Sequence, residues 1–167
     1  SRKKSNGKRE NWNEVGKRNL SGLKDLGKLN EEELSLMKEM QKNQKAQPSG
    51  RWLWIGGTSW INKNENFSGA YNCTSTNLID WEAFALMMDL AMMGCGTGAI
   101  IEPRFIEKLP VIRNKLNVKS ISEVGVTPKD KRQEKSSIEI EDNNLYIKVG
   151  DSRRGWVDSY KYLLEAS

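Results

Sequence analysis

The stretch FSGAYNCTSTNLIDWEAFALMMDLAMMGCGTG, residues 67–98, decides how this chain folds. It holds both cysteines, Cys73 and Cys95, one on each side of a run from Asp80 to Met93 whose interior charges are only Glu82 and Asp89. Ahead of that run, Tyr71, Cys73, Thr74 and Thr76 suit a pleated, half-buried surface and predict a strand. The run itself predicts a helix capped by Asp80, whose carboxylate accepts from first-turn N–H groups. Apolar side chains surround nearly its whole circumference, so burial on most sides is expected. Behind it, Gly94-Cys95-Gly96-Thr97-Gly98 predicts a turn that feeds a buried strand at Ala99, Ile100 and Ile101. As a phosphate cradle these glycines are weak evidence, because such loops place them between a strand and a following helix. Here a helix comes first, so the glycines are read as letting backbone approach a ligand or a neighbouring strand closely.

Composition narrows the chemistry around this stretch. The 167 residues suit one domain or a piece of a larger one. A net charge of +5 with 29% charged residues describes a basic, soluble protein, and no apolar run approaches the ~20 residues that span a bilayer. No membrane partner is expected. Histidine is absent altogether, which removes the commonest general base near neutral pH and the commonest metal ligand, so triad hydrolases and zinc enzymes lose their support. Two cysteines are too few for a disulfide-stapled secreted scaffold, no targeting pattern is read at the amino end, and a reducing cytoplasm is the expected compartment. The chain opens on Ser1 and closes on Ser167 directly after a helical pattern with no stop signal, so both ends are expected to be cut.

Read from the amino end, SRKKSNGKRE carries five basic side chains and no core former, and predicts a solvated arm with phosphate or nucleic acid as the sharper alternative. Trp12, Val15 and Leu20 give a weak helical face that Gly22 and Gly27 interrupt. Residues 30–45 predict a helix with Asn30 and Glu33 as a reciprocal capping box, and its Leu34, Met37 and Met40 stripe is read as core. Trp52 to Ile55 predicts a short extended segment closed by Gly56-Gly57, and residues 59–69 a polar loop. Pro103, Pro110 and Pro128 punctuate a looser region. Residues 137–149 predict two strands around a turn, and Asp151 or Ser152 caps a last helix over residues 154–166.

The order Glu10-Asn11-Trp12-Asn13-Glu14, Pro48-Ser49-Gly50-Arg51, Leu53-Trp54-Ile55, Gly57-Thr58 and Asn72-Cys73 resembles the amino-terminal part of a monomeric class II ribonucleotide reductase. That family comprises the adenosylcobalamin-dependent ribonucleoside-triphosphate reductases. The likeness continues through the apolar helix into Gly94-x-Gly-x-Gly, Leu109-Pro110 and Asp151-Ser152-Arg153-Arg154-Gly155-Trp156-Val157, over nearly the whole chain. It implies an α/β fold, a ten-stranded barrel of which this chain supplies the helical amino-terminal region and the first elements. Three stretches are expected: a basic arm and helical region over 1–50, first barrel elements with Cys73 and the glycine turn over 51–101, and a loop-rich, effector-site-like segment with the final helix over 102–167.

Family chemistry replaces the ribose 2′-hydroxyl with hydrogen. A cobalamin-derived radical makes a cysteine thiyl, and a further cysteine pair gives two electrons and becomes a disulfide. By the resemblance, Cys73 is one member of that pair, Asn72 lines the substrate pocket, and Gly96, Thr97 and Gly98 border it. Without the resemblance a buried structural cysteine would be the default; with it, a reachable thiol at a strand end is expected. Cys95 stands where the family has glycine and carries no assigned role, and a Cys73–Cys95 bridge would need Cα atoms within about 7 Å. Residues 117–155 correspond to part of a deoxynucleotide effector site, where Lys129, Lys131, Arg132, Arg153 and Arg154 could meet phosphates; surface solvation is the competing account.

The implied partners are a ribonucleoside triphosphate, a deoxynucleotide effector, a thioredoxin-type reductant and the remainder of the reductase polypeptide, with no nucleic acid. The thiyl cysteine, the second reducing cysteine and most adenosylcobalamin contacts would lie beyond this chain, so it is expected to be inactive alone. A free-standing basic nucleotide- or nucleic-acid-binding module is the competing function.

Overall fold

The computed structural model describes residues 2–120 and 125–167. Helix accounts for 45% and strand for 14%, so the chain is mixed α and β in class. It divides into two compact units, Ser1–Asn72 and Cys73–Ser167.

The first unit is helical. Helix α1, Trp12–Gly27, starts at Asn11, whose side chain accepts from the Glu14 N–H while the Glu14 carboxylate accepts from the Asn11 N–H. Helix α2, Glu31–Lys42, carries the expected reciprocal box between Asn30 and Glu33. Each box satisfies two amide groups that a bare helix start leaves orphaned. Gly22 does not interrupt α1. A Cβ there would lie 2.5 Å from the Gly57 nitrogen, so the glycine lets the helix touch the following turn backbone to backbone.

The segment Gly50–Ile55, expected to be extended, is a helix, α3, capped by Ser49. Four apolar residues in a row do not distinguish the two periods, and the Ser49 hydroxyl accepting from the Trp52 N–H settles it as helix. Trp52, Ile55 and Ile61 form the core of this unit, with Leu23, Phe67 and Ala70 packed around them. Residues of the expected polar loop include a 3-10 segment, Asn64–Ala70.

The second unit begins with strand β1, Cys73–Asn77, continues through helix α4, Trp81–Met92, and returns in strand β2, Gly96–Ile100. Asp80 caps α4 by accepting from the Ala83 N–H at 2.8 Å. β1 and β2 pair in parallel, a β-α-β unit. The glycines therefore belong to the strand, not to a turn ahead of it; the turn is made at Gly94, with φ 86°. α4 buries Ala83 and Leu90 on one side and Ala85 on another, packed by β1, β2 and the last helix, but Leu86 and Met92 are 47% and 45% exposed, so the expected enclosure is incomplete.

A short helix, α5, spans Pro103–Ile106. Strands β3, Ser137–Glu141, and β4, Asn144–Lys148, form an antiparallel hairpin. Its turn is Asp142-Asn143, both with positive φ, the geometry that matches the twist of the two strands. The last helix, α6, is Arg153–Glu165, capped by Ser152, and packs on α4. No helix among the described residues is long and apolar enough to cross a membrane. No barrel is formed by these four strands, which make two separate two-stranded sheets.

Candidate functional site around Cys73

Parallel pairing sets the site. Cys73 stands opposite Gly96, Thr74 opposite Thr97, and Ser75 opposite Gly98. Because side chains alternate along a strand, Cys73, Ser75 and Asn77 share one face of β1, and all three are exposed. Thr74 and Thr76 lie on the other face and are half-buried. Across from the exposed row, Gly96 and Gly98 present backbone without side chains, and a Cβ on Gly98 would meet the Thr74 carbonyl oxygen at 3.4 Å. The result is a thiol at the first position of a strand, beside a hydroxyl and an amide on the same face, and next to bare peptide that a ligand can approach closely.

Of the residues expected to border the site, the register sets Gly96 opposite Cys73 and Gly98 opposite Ser75 on the exposed row, whereas Thr97 lies opposite Thr74 on the half-buried face. Sequence reasoning did not find Ser75 and Asn77. The two-residue period counted on from Cys73 would have found them.

Asn72 is exposed, and its Oδ1 accepts from Arg51 Nε at 3.3 Å. Arg51 also donates to the Gly69 carbonyl at 3.5 Å. The side chain just ahead of Cys73 is thus held from α3, a link across 21 residues that no local pattern signals.

Both cysteines are thiols. Cys73 is exposed, whereas Cys95 is 7% exposed and packs with Leu90 and Met93, its N–H donating to the Leu90 carbonyl. Cys95 serves as a small apolar residue at the entry to β2.

The basic residues expected to meet phosphates are mostly engaged. Arg153 Nε lies 3.2 Å from Asp89 Oδ1, with only 24% and 18% of the two side chains exposed. Arg154 pairs with Asp158 one turn on, at 3.0 Å. Arg132 pairs with Asp151 at 2.8 Å and donates to the Thr127 carbonyl. Lys129 and Lys131 are exposed and have no ion pair among the described residues. Part of the segment that carries them, residues 121–124, lies outside the described residues.

The run from Gly150 to Gly155 is held by hydrogen bonds and close backbone packing. Ser136 Oγ donates to the Gly155 carbonyl at 2.6 Å and accepts from the Gly150 N–H at 2.8 Å. Ser152 Oγ donates to the Glu134 carbonyl at 2.6 Å while capping α6. A Cβ on Gly150 or Gly155 would fall within 2.6 Å of neighbouring backbone oxygens. These residues fasten α6 to the hairpin.

No family model, curated protein or solved structure matches the chain.

Proposed function

We propose that this chain is the amino-terminal portion of a class II ribonucleotide reductase and contributes Cys73 as one of its two reducing thiols. The observation that carries the reading is the register of β1 on β2, which sets an exposed strand-start thiol against the side-chain-free backbone of Gly96. A thiol that delivers electrons must be reachable by substrate and later by a reductant, and Cys73 meets that need where buried Cys95 does not. A parallel strand pair normally lies within a larger sheet covered on both faces. Among the described residues the pair has no further strand beside it and its Cys73 face is exposed, which is what the first elements of a larger barrel would look like without their neighbours.

In the proposed reaction a ribonucleotide and two cysteine thiols give a deoxyribonucleotide, one disulfide and water. The C2′–O bond breaks, a C2′–H bond forms, the hydroxyl leaves as water, and the two sulfurs are oxidised to the disulfide. Asn72, held by Arg51, and the Gly96, Thr97 and Gly98 backbone would border the substrate. A thioredoxin-type reductant would then reduce the disulfide. For a deoxynucleotide effector, Arg154 with Lys129 and Lys131 is more available than Arg153, whose charge is committed to Asp89.

The contacts that would hold adenosylcobalamin are assigned to the remainder of the polypeptide, because neither of two hollows among the described residues offers it a built site. Two open hollows of about 490 and 310 Å³ are lined by helix-surface residues such as Lys24 and Glu31 or by apolar ones such as Leu26 and Trp52. In this reading the cofactor belongs to the remainder of the polypeptide, and the chemistry of this chain ends at its thiol.

The test joins the chain to the polypeptide encoded downstream of it and assays ribonucleoside-triphosphate reduction with adenosylcobalamin. Deoxynucleotide is expected only when both parts are present. No deoxynucleotide from the assembled protein, or a downstream polypeptide without an Asn-Pro-Cys-Gly-Glu type segment, contradicts the reading.

A further inference from the structure

Strand β3 is exposed at all five of its residues. Among the described residues β4 is its one strand neighbour, and α6 packs against β4. The two-residue turn fixes which peptide groups β3 leaves open. Glu141 and Asn144 flank the turn and direct their peptide groups at each other, so by alternation Ile138 and Ile140 direct theirs away from β4. Such an edge is a template for a further strand, and a two-stranded hairpin by itself is marginal in water. The side chains sort by face. Ile138 and Ile140, 45% and 77% exposed, stand with Leu145 and Ile147 on one face, and Glu139 and Glu141 stand on the other. Lys148 Nζ meets Glu139 Oε1 at 2.6 Å, whereas Glu141 has no ion pair among the described residues.

The same chain carries a segment that fits this edge. Residues 115–119 read Lys-Leu-Asn-Val-Lys, polar and apolar side chains alternating over five positions, the length of β3. All five are exposed and lie outside any helix or strand, and Lys115 and Lys119 have no ion pair among the described residues. Directly opposed residues of paired strands share a face, so Leu116 and Val118 would meet Ile138 and Ile140. With the strands antiparallel, Lys115 then stands opposite Glu141; with them parallel, Lys119 does. Asn117 stands opposite Glu139 in both. The carboxylate already held by Lys148 thus meets a neutral amide, and the one without an ion pair meets a lysine. Full antiparallel overlap of β3 with β3 of another copy would instead set Glu139 against Glu139, which is unfavourable.

A chain does not offer this segment to itself. The Arg113 and Asn114 N–H groups donate to the Ser167 carbonyl at 2.6 and 2.5 Å, and Asn114 Nδ2 donates to the Ala166 carbonyl at 2.9 Å. That tether lies at the carboxyl end of α6, whereas Ser136, at the foot of β3, is bonded to Gly155 at the start of the same helix. At 1.5 Å per residue the two places are about 18 Å apart. The tether leaves Lys115 onward without a strand partner and holds it away from the foot of its own β3.

We propose that two copies of this chain associate by reciprocal strand addition, residues 115–119 of each pairing along the outer edge of β3 of the other. A reciprocal exchange closes at two copies. The proposal is independent of the reductase reading.

The test is sedimentation velocity of the full chain over a hundredfold concentration range, with reductant present so that Cys73 cannot link copies. A dimer is expected at the upper end. Glu141→Lys, and separately Lys115→Glu with Lys119→Glu, should each raise the dissociation constant at least tenfold, because each sets like charges opposite one another in both contacts. Mixing the two variants should restore a dimer of one copy of each, since the reversed edge of one meets the reversed segment of the other and the two unaltered partners meet as before. Amide exchange in the unaltered dimer should slow at Leu116, Val118, Ile138 and Ile140 relative to the dilute chain. A chain that stays monomeric across the range, a dimer indifferent to both charge reversals, a mixture that does not restore it, or no slowing at those four amides would each overturn the proposal.

Discussion

Arg153 Nε lies 3.2 Å from Asp89 Oδ1, and this pair joins the start of α6 to the end of α4. At the other ends of the same helices Lys161 meets Glu82, whose carboxylate raises the Lys161 ammonium above the usual lysine range. The two pairs fix α4 and α6 antiparallel. They differ in exposure, so they should differ in worth. Asp89→Ala leaves a mostly covered guanidinium without this partner and is expected to cost about 1–3 kcal/mol. Glu82→Ala breaks an exposed contact and should cost under about 1 kcal/mol. Thermal melts check this: for a unit of this size each kcal/mol moves the midpoint by roughly 4–8 °C.

Arg18 bonded to Glu10 holds the Glu10 carboxyl below the usual carboxylate range. A carboxyl whose pKa falls on folding adds stability above its unfolded value, near about 4.3, and loses that stability as pH drops through the folded value. Glu10→Gln should destabilise the first unit at pH 7 by about 1–3 kcal/mol, and the gap from the unaltered chain should close as pH falls below about 4. Denaturant titrations at pH 7, 5 and 3 read this out. A gap that stays constant across those values would contradict the assignment.

Gly22 is where α1 touches the turn after α3. Gly22→Ala puts a methyl 2.5 Å from the Gly57 nitrogen, and is expected to cost about 1–3 kcal/mol or more as the helix is pushed away. Gly50→Ala, with nothing within 4 Å of the new methyl, should be neutral or stabilising by up to about 1 kcal/mol, because it removes freedom from the unfolded chain. Urea midpoints of the two variants separate contact from backbone freedom.

Cys73 is exposed and Cys95 is packed against Leu90 and Met93. An aromatic disulfide reagent should titrate one thiol in the native chain and two after denaturation. Cys73→Ser should remove the native signal, and Cys95→Ser should leave it.

What the sequence made legible was local chemistry. Asn30 and Glu33 announce α2 because both partners of the box lie within one turn, and the Asp80 cap and the 137–148 hairpin rest on equally short-range rules. Trp52 to Ile55 misled because four residues carry no period, and the contact that decides helix is a serine hydroxyl just ahead of them. Gly96 and Gly98 read locally as turn residues because glycine weakens strands in isolation; pairing with β1 overrides that preference. The ordered hairpin of residues 2–10, where Lys3 bridges Arg9 in place of the expected solvated arm, was illegible because its anchor, Arg18, lies eight residues beyond Glu10 and reaches Leu53 and Gly56 as well. For the site, the motif located Cys73, but the exposed row with Ser75 and Asn77 needed the strand register.

On the proposed reading, Cys73 supplies electrons to a ribonucleotide. Deoxynucleotide formed per enzyme should be measured in the assembled reductase, with Cys73→Ser and Cys95→Ser compared against the unaltered chain under thioredoxin-type reductant. Loss of multiple turnover in Cys73→Ser with turnover retained in Cys95→Ser is the expected result, and sustained turnover by the Cys73→Ser protein would contradict it.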